Sequence, residues 1–442
     1  MALICGHDAP AYGLPLCEHI RNATAEPLDH YLHYTGRGLE RQRVCGICRH
    51  EPADEKASTT EAATVAAVCE DCFDATEGSL LGVFGHPGTI DESRPVRGIV
   101  ETTALPDEAG KVLDIAPTND GIVLLCEDGR ILRRHIESGR CTEVARSTIT
   151  VPADAEPWCG RTQTLRLHAS RDGAFAAVVI DYGRTGEVID LSTGAVTLPL
   201  ENDGYHSDTV PFSLAFTEHA GRVVVLHRRQ WSLIEATDPA TGAQVACMPT
   251  GDDGSAPWAG HFHGALYPSP AGSRCASDAW VWHPSGRPVA WNLDQWLTEG
   301  ERAWTEDIDW AGLPGCAYYW DRSLVRLDED RLVLEGLGDV EEELVPGARV
   351  FDLGRRGPDG PGGSAEPVET VTFAGPRGRF FAADGLLFSS SESGFEIWNP
   401  ATGARLGTLA GFRPTHHDPI RGELIELSAI GLRRWRTADA TA

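Results

Sequence analysis

Four close pairs of metal-type donors fall within the first 72 residues: Cys5-Gly-His7, Cys17-Glu-His19, Cys45-Gly-Ile-Cys48 and Cys69-Glu-Asp-Cys72. Thiolate and imidazole are the donors that hold Zn²⁺ in a tetrahedron, and two donors two or three residues apart can close on one ion through a tight knuckle. Gly46 relieves the turn inside the third pair. Two pairs complete a closed site, so four pairs provide for two ions. Eight donors divided evenly between closed sites leave no open position for water, so both ions are expected to be structural. Coordination would then supply the folding free energy, about 10 kcal/mol per ion, to a unit too small to bury much core. His30, His33 and His50 lie near enough in sequence to compete with the two Cys-x-His pairs. A redox Cys-x2-Cys would more naturally stand alone beside a βαβ pattern, and none is present.

The segment Val68-Cys69-Glu-Asp-Cys72-Phe-Asp resembles the closing segment of treble-clef zinc fingers, in which the second Cys-x2-Cys opens a helix. Four donor pairs in series also resemble the cross-brace of RING and FYVE modules. That resemblance implies one ion shared by pairs one and three and another by pairs two and four. Sequential pairing is equally compatible with the spacing, and the Cys-x-His pairs depart from the usual RING order. Between the Cys-x2-Cys pairs, Ala53 to Ala67 is rich in Ala and Glu and reads as helix. Residues 1–90 are thus a Cys/His-rich zinc-binding module, running out through the turn-rich linker GHPGTIDESRP that starts at Gly85.

From about residue 91 to 442 the periodicity changes to two. Short apolar runs stop at turn residues every eight to twelve positions, the pattern of an all-β meander. The clearest stretch runs from Gly260 to Asp294. It resembles a WD40-type repeat through Gly260-His261, the turns at Ser269-Pro-Ala-Gly272 and Ser277-Asp278, and Trp282 at the end of a third strand. The resemblance implies a buried hydrogen-bonded set of His261, Asp278 and Trp282. Similar strand-closing elements recur at Gly129-RILRRHI, Gly186-EVIDL, Trp231-SLIEA, Ala279-WVWHP, Gly347-ARVFDL, Gly394-FEIWNP and Gly431-LRRWRT, roughly 40–70 residues apart. Most are followed by a Ser/Thr-Gly turn. Count and period predict a mainly β protein: a seven-bladed β-propeller behind a small α+β zinc module. Val96–Leu105 is placed to pair with the last blade and close the ring, which removes exposed strand edges. The run Glu341-Glu342-Glu343 and the Gly/Pro-rich stretch Gly354 to Pro367 read as solvated surface.

The chain has 442 residues, a formal charge of −27 and 41% hydrophobic residues, ample for a core. The charge disfavours a broad nucleic-acid-coating surface, although Arg37, Arg41, Arg43 and Arg49 form a local basic cluster. Only Lys56 and Lys111 are lysines; Arg for Lys, with high Ala and Gly, is the bias of a GC-rich bacterial genome. The opening MALICGHDAP has neither a basic n-region nor a long apolar h-region, and no apolar run is long enough to span a bilayer, so a cytoplasmic protein is expected. The six cysteines beyond residue 72 (Cys126, Cys141, Cys159, Cys247, Cys275 and Cys316) are scattered singly and read as small buried hydrophobes.

No phosphate-binding loop, GxSxG, HExxH or dinucleotide fingerprint is present. The expected function is a non-enzymatic scaffold for a protein or peptide partner, with the zinc module as a second docking surface. A RING-like ligase or adaptor, with the propeller as substrate receptor, is the first alternative. A propeller enzyme with its site at the channel mouth is another, and His168, Asp172, His206 and His227 are the residues that could supply acid–base groups there. His416-His417-Asp418 invites a metal reading, which a polar loop disfavours.

Overall fold

A computed structural model describes residues 96–440 apart from 250–259, 306–307, 338–343, 360–364 and a few single positions; of the first 95 residues it describes mainly five short strands. These strands form one sheet in the order Val65–Val68, Leu14–Cys17, Glu40–Cys45, His30–Thr35, Leu80–Phe84. The expected helix from Ala53 to Ala67 is corrected at its end: Val65–Val68 is a strand, paired antiparallel with Leu14–Cys17. β-Branched valines at both ends favour that outcome.

Seven sheets follow in chain order. The first blade is Val112–Thr118, Gly121–Cys126, Arg130–His135 and Cys141–Arg146. The second spans 164–201, the third 214–247, the fourth 262–317, the fifth 324–374 and the sixth 379–409. The first strand of each blade is innermost. Val112–Thr118, Thr164–Ala169, Leu214–His219 and Phe262–Pro268 approach one another in succession round a common axis, and the seventh blade's His416–Asp418 lies beside Val112–Thr118. That blade takes its fourth strand from the start of the array: Glu101–Thr103 pairs antiparallel with Gly431–Arg436, Leu432 opposite Thr103 and Arg434 opposite Glu101. The expected ring closure is thus found.

Period-two patterning explains the core. In Gly121–Cys126, Ile122, Leu124 and Cys126 pack with Ile425 and Leu432 of the seventh blade. Val123 and Leu125, on the other face, pack with Leu167, Ala176 and Val178 of the second. Ala177 and Val179 then face Phe212, Leu214 and Val225 of the third. A strand covered on both faces reads as a near-continuous apolar run, and the second strand of the first blade, GIVLLC, is one. The turns between third and fourth strands repeat one chemistry. Asp190, Asp238 and Asn399 each accept, through the side chain, the amide two residues on (Ser192, 2.7 Å; Ala240, 2.8 Å; Ala401, 2.9 Å). Gly194, Gly242 and Gly403 follow at φ 73°, 69° and 72° and donate back to the same three residues' carbonyls.

This logic corrects the reading of the fourth blade. Ala279-Trp-Val-Trp282 belongs to the second strand, Arg274–Val281, and the third is Val289–Asn292. An all-apolar run marks the doubly covered second strand, and Ser285-Gly286 is a short extra strand instead of the repeated turn. Two helices absent from the sequence reading, Leu293–Glu299 and Glu301–Thr305, are inserted before the fourth strand. Asn292 caps the first by accepting from the Gln295 amide at 2.9 Å, and Trp296 and Trp304 join the core between blades three and four. The Gly/Pro-rich stretch from Gly354 is also more regular than expected. Strands Val345–Asp359 and Ala365–Ala374 extend into it, with register shifts at Asp352/Arg356 and Arg356/Asp359 that absorb residues unable to hold a regular ladder. No helix among the described residues is long and apolar enough to cross a membrane.

Candidate functional site

In an antiparallel meander the connections alternate between the two ends of the ring. One end carries the loops between blades and the hairpins between second and third strands, and the aromatic side chains gather there. Phe262 opens the fourth blade's inner strand and is fully buried. Trp231 and Trp280 lie 4.5 Å from it between ring centroids, Tyr205 stacks at 5.8 Å, and Trp282 and His206 stand edge-on at 6.1 and 6.2 Å. Tyr205 and Trp282 remain 46% and 49% exposed, and Tyr319 36%. Two loops and two hairpins therefore present exposed aromatic side chains over blades two to five, and those of Tyr205 and Trp282 rest on a buried aromatic floor. Aromatic anchors on such a floor are the residues from which protein-binding surfaces draw most affinity.

The same end is tied across the axis. Arg161, from the loop between blades one and two, places its guanidinium over the Trp320 ring at 4.3 Å and donates to Asp321, in the loop between blades four and five. The Tyr182 phenol donates to the same Asp321 oxygen at 3.1 Å, and the Trp320 indole donates to the Thr209 carbonyl at 2.7 Å. Tyr182, His206 and Asp321 hold left-handed backbone, at φ 58°, 48° and 61°. Strained positions of this kind persist where the surroundings over-determine them, and they gather at binding and active sites.

Beneath this cap lies Asp278, only 2% exposed, whose Oδ1 is buried without a hydrogen-bond partner among the described residues. Its carboxyl is pushed up to about 7, by burial first and by the neighbouring Asp321 carboxyl second. Burial also raises Asp321, against the pull of Arg161. Gly264 lets the inner strand pass here: a Cβ on it would stand 2.5 Å from the Asp278 carbonyl, and the register shifts between His263 and Leu266.

Further along the axis the inner strands carry a polar chain. Arg379 donates to the Thr415 carbonyl. The Thr415 hydroxyl meets His416 Nδ1 at 2.8 Å, and His416 Nε2 meets Asp114 Oδ1 at 2.7 Å. The Leu167 amide, on the free inner edge of blade two, donates to Asp114 Oδ2 at 2.7 Å. Arg166 pairs with Asp181 at 2.5 Å, and Asp181 also accepts the Phe212 amide of blade three. The chain crosses blades six, seven, one, two and three. Burial alone would raise Asp114, but the hydrogen bond and charge of His416 outweigh it and hold the carboxyl below its ordinary value.

The WD40-type set is not formed. Trp282 is half exposed beyond its strand and Asp278 Oδ1 has no partner, because both belong to the second strand's end and not to a closing third strand. The four acid–base candidates do not converge. Burial, and next Arg166, push His168 down to about 3, so it is neutral. Asp172 caps a hairpin at the opposite end of the ring, accepting from Ser170 Oγ at 2.6 Å. His206 joins the aromatic surface, edge-on to Trp282 at 5.0 Å. His227 is buried, with Nε2 2.9 Å from Thr237 Oγ1. In the basic cluster Arg43 is buried, its guanidinium 4.4 Å over the Phe73 ring.

The side chains of Cys5, His7, Cys17, His19, Cys45, Cys48, Cys69 and Cys72 lie outside the described residues, as does Glu341-Glu342-Glu343. Among the described residues no group of three or more His, Cys, Asp or Glu is placed to hold a metal ion.

Sequence reasoning missed Asp114, Arg166 and Arg379. Each stands four residues ahead of a turn opener, before Thr118-Asn-Asp-Gly121, Ser170-Arg-Asp-Gly173 and Ala383-Asp-Gly385. A charged residue at one fixed distance before a repeated turn was the available signal. The fold defines the class, a seven-bladed β-propeller. The chain matches no family model and no curated protein.

Proposed function

We propose that this propeller is a non-enzymatic interaction scaffold that engages a protein or peptide partner through its aromatic end. The supporting observation is the pair of exposed rings, Tyr205 and Trp282, seated on buried Phe262 and Trp280, with Tyr319 exposed in the loop between blades four and five. Contiguous exposed aromatic surface backed by a rigid floor costs little conformational entropy to use in binding. The Cys/His-rich module is the second docking element. In this reading Cys5, His7, Cys17, His19, Cys45, Cys48, Cys69 and Cys72 bind two structural zinc ions, and the protein works in the cytoplasm.

The test is affinity capture from the native host, with three baits compared. Wild type should retain a partner. Tyr205→Ala/Trp282→Ala should lose it, since anchors of this kind are worth about 2 kcal/mol or more each. Cys69→Ser/Cys72→Ser should lower the zinc content from two ions per chain by elemental analysis. If it also loses the partner, the module shares the docking. Retention of the same partner by the aromatic variant at wild-type level would overturn the aromatic end as the docking surface.

A further inference from the structure

The axial channel carries donors that the protein itself leaves unused. Arg379 is solvent-exposed, although it stands at the head of an inner strand among the inner strands of other blades. The inner strands of a propeller line its central channel. Among the described residues the only acceptor for its five N–H groups is the Thr415 carbonyl. Arg166, at the matching position four residues before its turn, donates to Asp181 with one nitrogen. Tyr267, on the fourth blade's inner strand, has a phenol with no hydrogen-bond partner among the described residues.

We propose that the channel binds a small monocarboxylate, held by Arg379 with Arg166 and the Tyr267 phenol as further donors. Charge selects the class. Asp181 answers Arg166, and Asp114 is engaged by His416 and the Leu167 amide. Arg379 is left as the cation with no carboxylate of its own among the described residues, so one negative charge completes the site. A phosphate dianion would bring a second charge toward Asp114 and Asp181. A planar guanidinium also matches a carboxylate in two parallel hydrogen bonds. Desolvation by the surrounding inner strands, and next the charge of Arg166, lower the Arg379 guanidinium from its ordinary value, and an anion between the two cations relieves their repulsion. Burial, and then Asp278, raise the Tyr267 phenol, so it stays protonated and can donate. The tie of Arg161 and Tyr182 to Asp321 spans the aromatic end, so the ligand enters from the other end of the ring.

The experiment is titration calorimetry on the full chain with acetate, succinate and inorganic phosphate as probes, at fixed ionic strength. Saturable acetate or succinate binding is expected. Loss of a charge-assisted bidentate contact should weaken it roughly tenfold to a hundredfold in Arg379→Gln. Tyr267→Phe should weaken it severalfold. Arg433→Gln, a surface arginine paired with Glu426, should bind as wild type. The Tyr205→Ala/Trp282→Ala variant should also bind as wild type, which separates this site from the aromatic docking surface. Unliganded melting of Arg379→Gln checks that it folds; if it does not, Tyr267→Phe carries the test. No saturable binding of any probe, equal affinity in Arg379→Gln, or tighter binding of phosphate than of either carboxylate would each overturn the proposal.

Discussion

Asp278 is a carboxyl taken out of water with an unpartnered oxygen, and the fold bears that cost in its charged form. Its neighbours are Asp321, which repels, and Arg322 and Arg161, which attract. In the unfolded chain it releases its proton near the ordinary Asp value of about 3.9, whereas in the fold it does so at about 7. Between those values the native state holds more protons than the unfolded state, so stability falls as pH rises, by up to about 1.4 kcal/mol per pH unit, and levels off above the folded value. Asp278→Asn keeps the shape and an oxygen for the Asp321 amide but removes the charge. We expect the variant to be more stable than wild type at and above neutral pH, with the difference vanishing in acid. Urea unfolding of both proteins across that range measures it, and a pH-independent difference would contradict this account. Asp114 works in the opposite direction. Its carboxyl is held below the ordinary value, so its contribution is present above that value and lost on acidification.

At the scale of elements, closure of the ring depends on one strand pair contributed by the two ends of the array. Gly431 opens the inner partner at φ 132°, and a Cβ there would stand 2.3 Å from the Thr103 carbonyl. Gly431→Ala therefore meets both backbone strain and a clash with main chain, which cannot move aside as a side chain can. A loss of about 1–3 kcal/mol is expected, read as a lower urea midpoint. A wild-type midpoint would show that the closing strand can shift without cost. Between blades, carboxylates act as staples. Glu187 of blade two accepts from Ser147 Oγ at 2.6 Å and the Thr148 amide at 3.0 Å, and Glu335 of blade five accepts from the Ser323 and Gly378 amides. Each satisfies amides of the connecting loops, groups that must otherwise find water.

At the scale of the whole molecule, the closing strand begins at Glu101, after the Cys/His-rich module. Removing residues 1–95 should leave a propeller that unfolds in one cooperative transition near the full chain's melting temperature. Removing residues 1–104 should lower that temperature and expose the edge of Gly431–Arg436, an open template for chain association. Calorimetry and light scattering distinguish the two truncations, and identical behaviour would deny the closing strand its role. The aromatic end and the axial cluster also belong to this scale, since neither exists within a single blade.

Much of the propeller was legible in the residues themselves. Alternating apolar runs, the repeated Asp/Asn-x-x-Thr-Gly turns and the closing segment are local signals, each complete within about ten residues, and six of the seven strand-closing elements are third strands. The fourth blade was misread by one strand, because an apolar run shows that both faces are covered but not by which neighbours. Only the tertiary structure decided the site. Asp114 and His416 stand 302 positions apart, and Arg161 and Asp321 stand 160 apart. In the sequence Asp114, Arg161 and Asp321 carry no motif, and His416 stands out only as part of His416-His417-Asp418. They meet because ring closure brings the inner strands of distant blades to one axis, where removal from water makes every charge seek a partner.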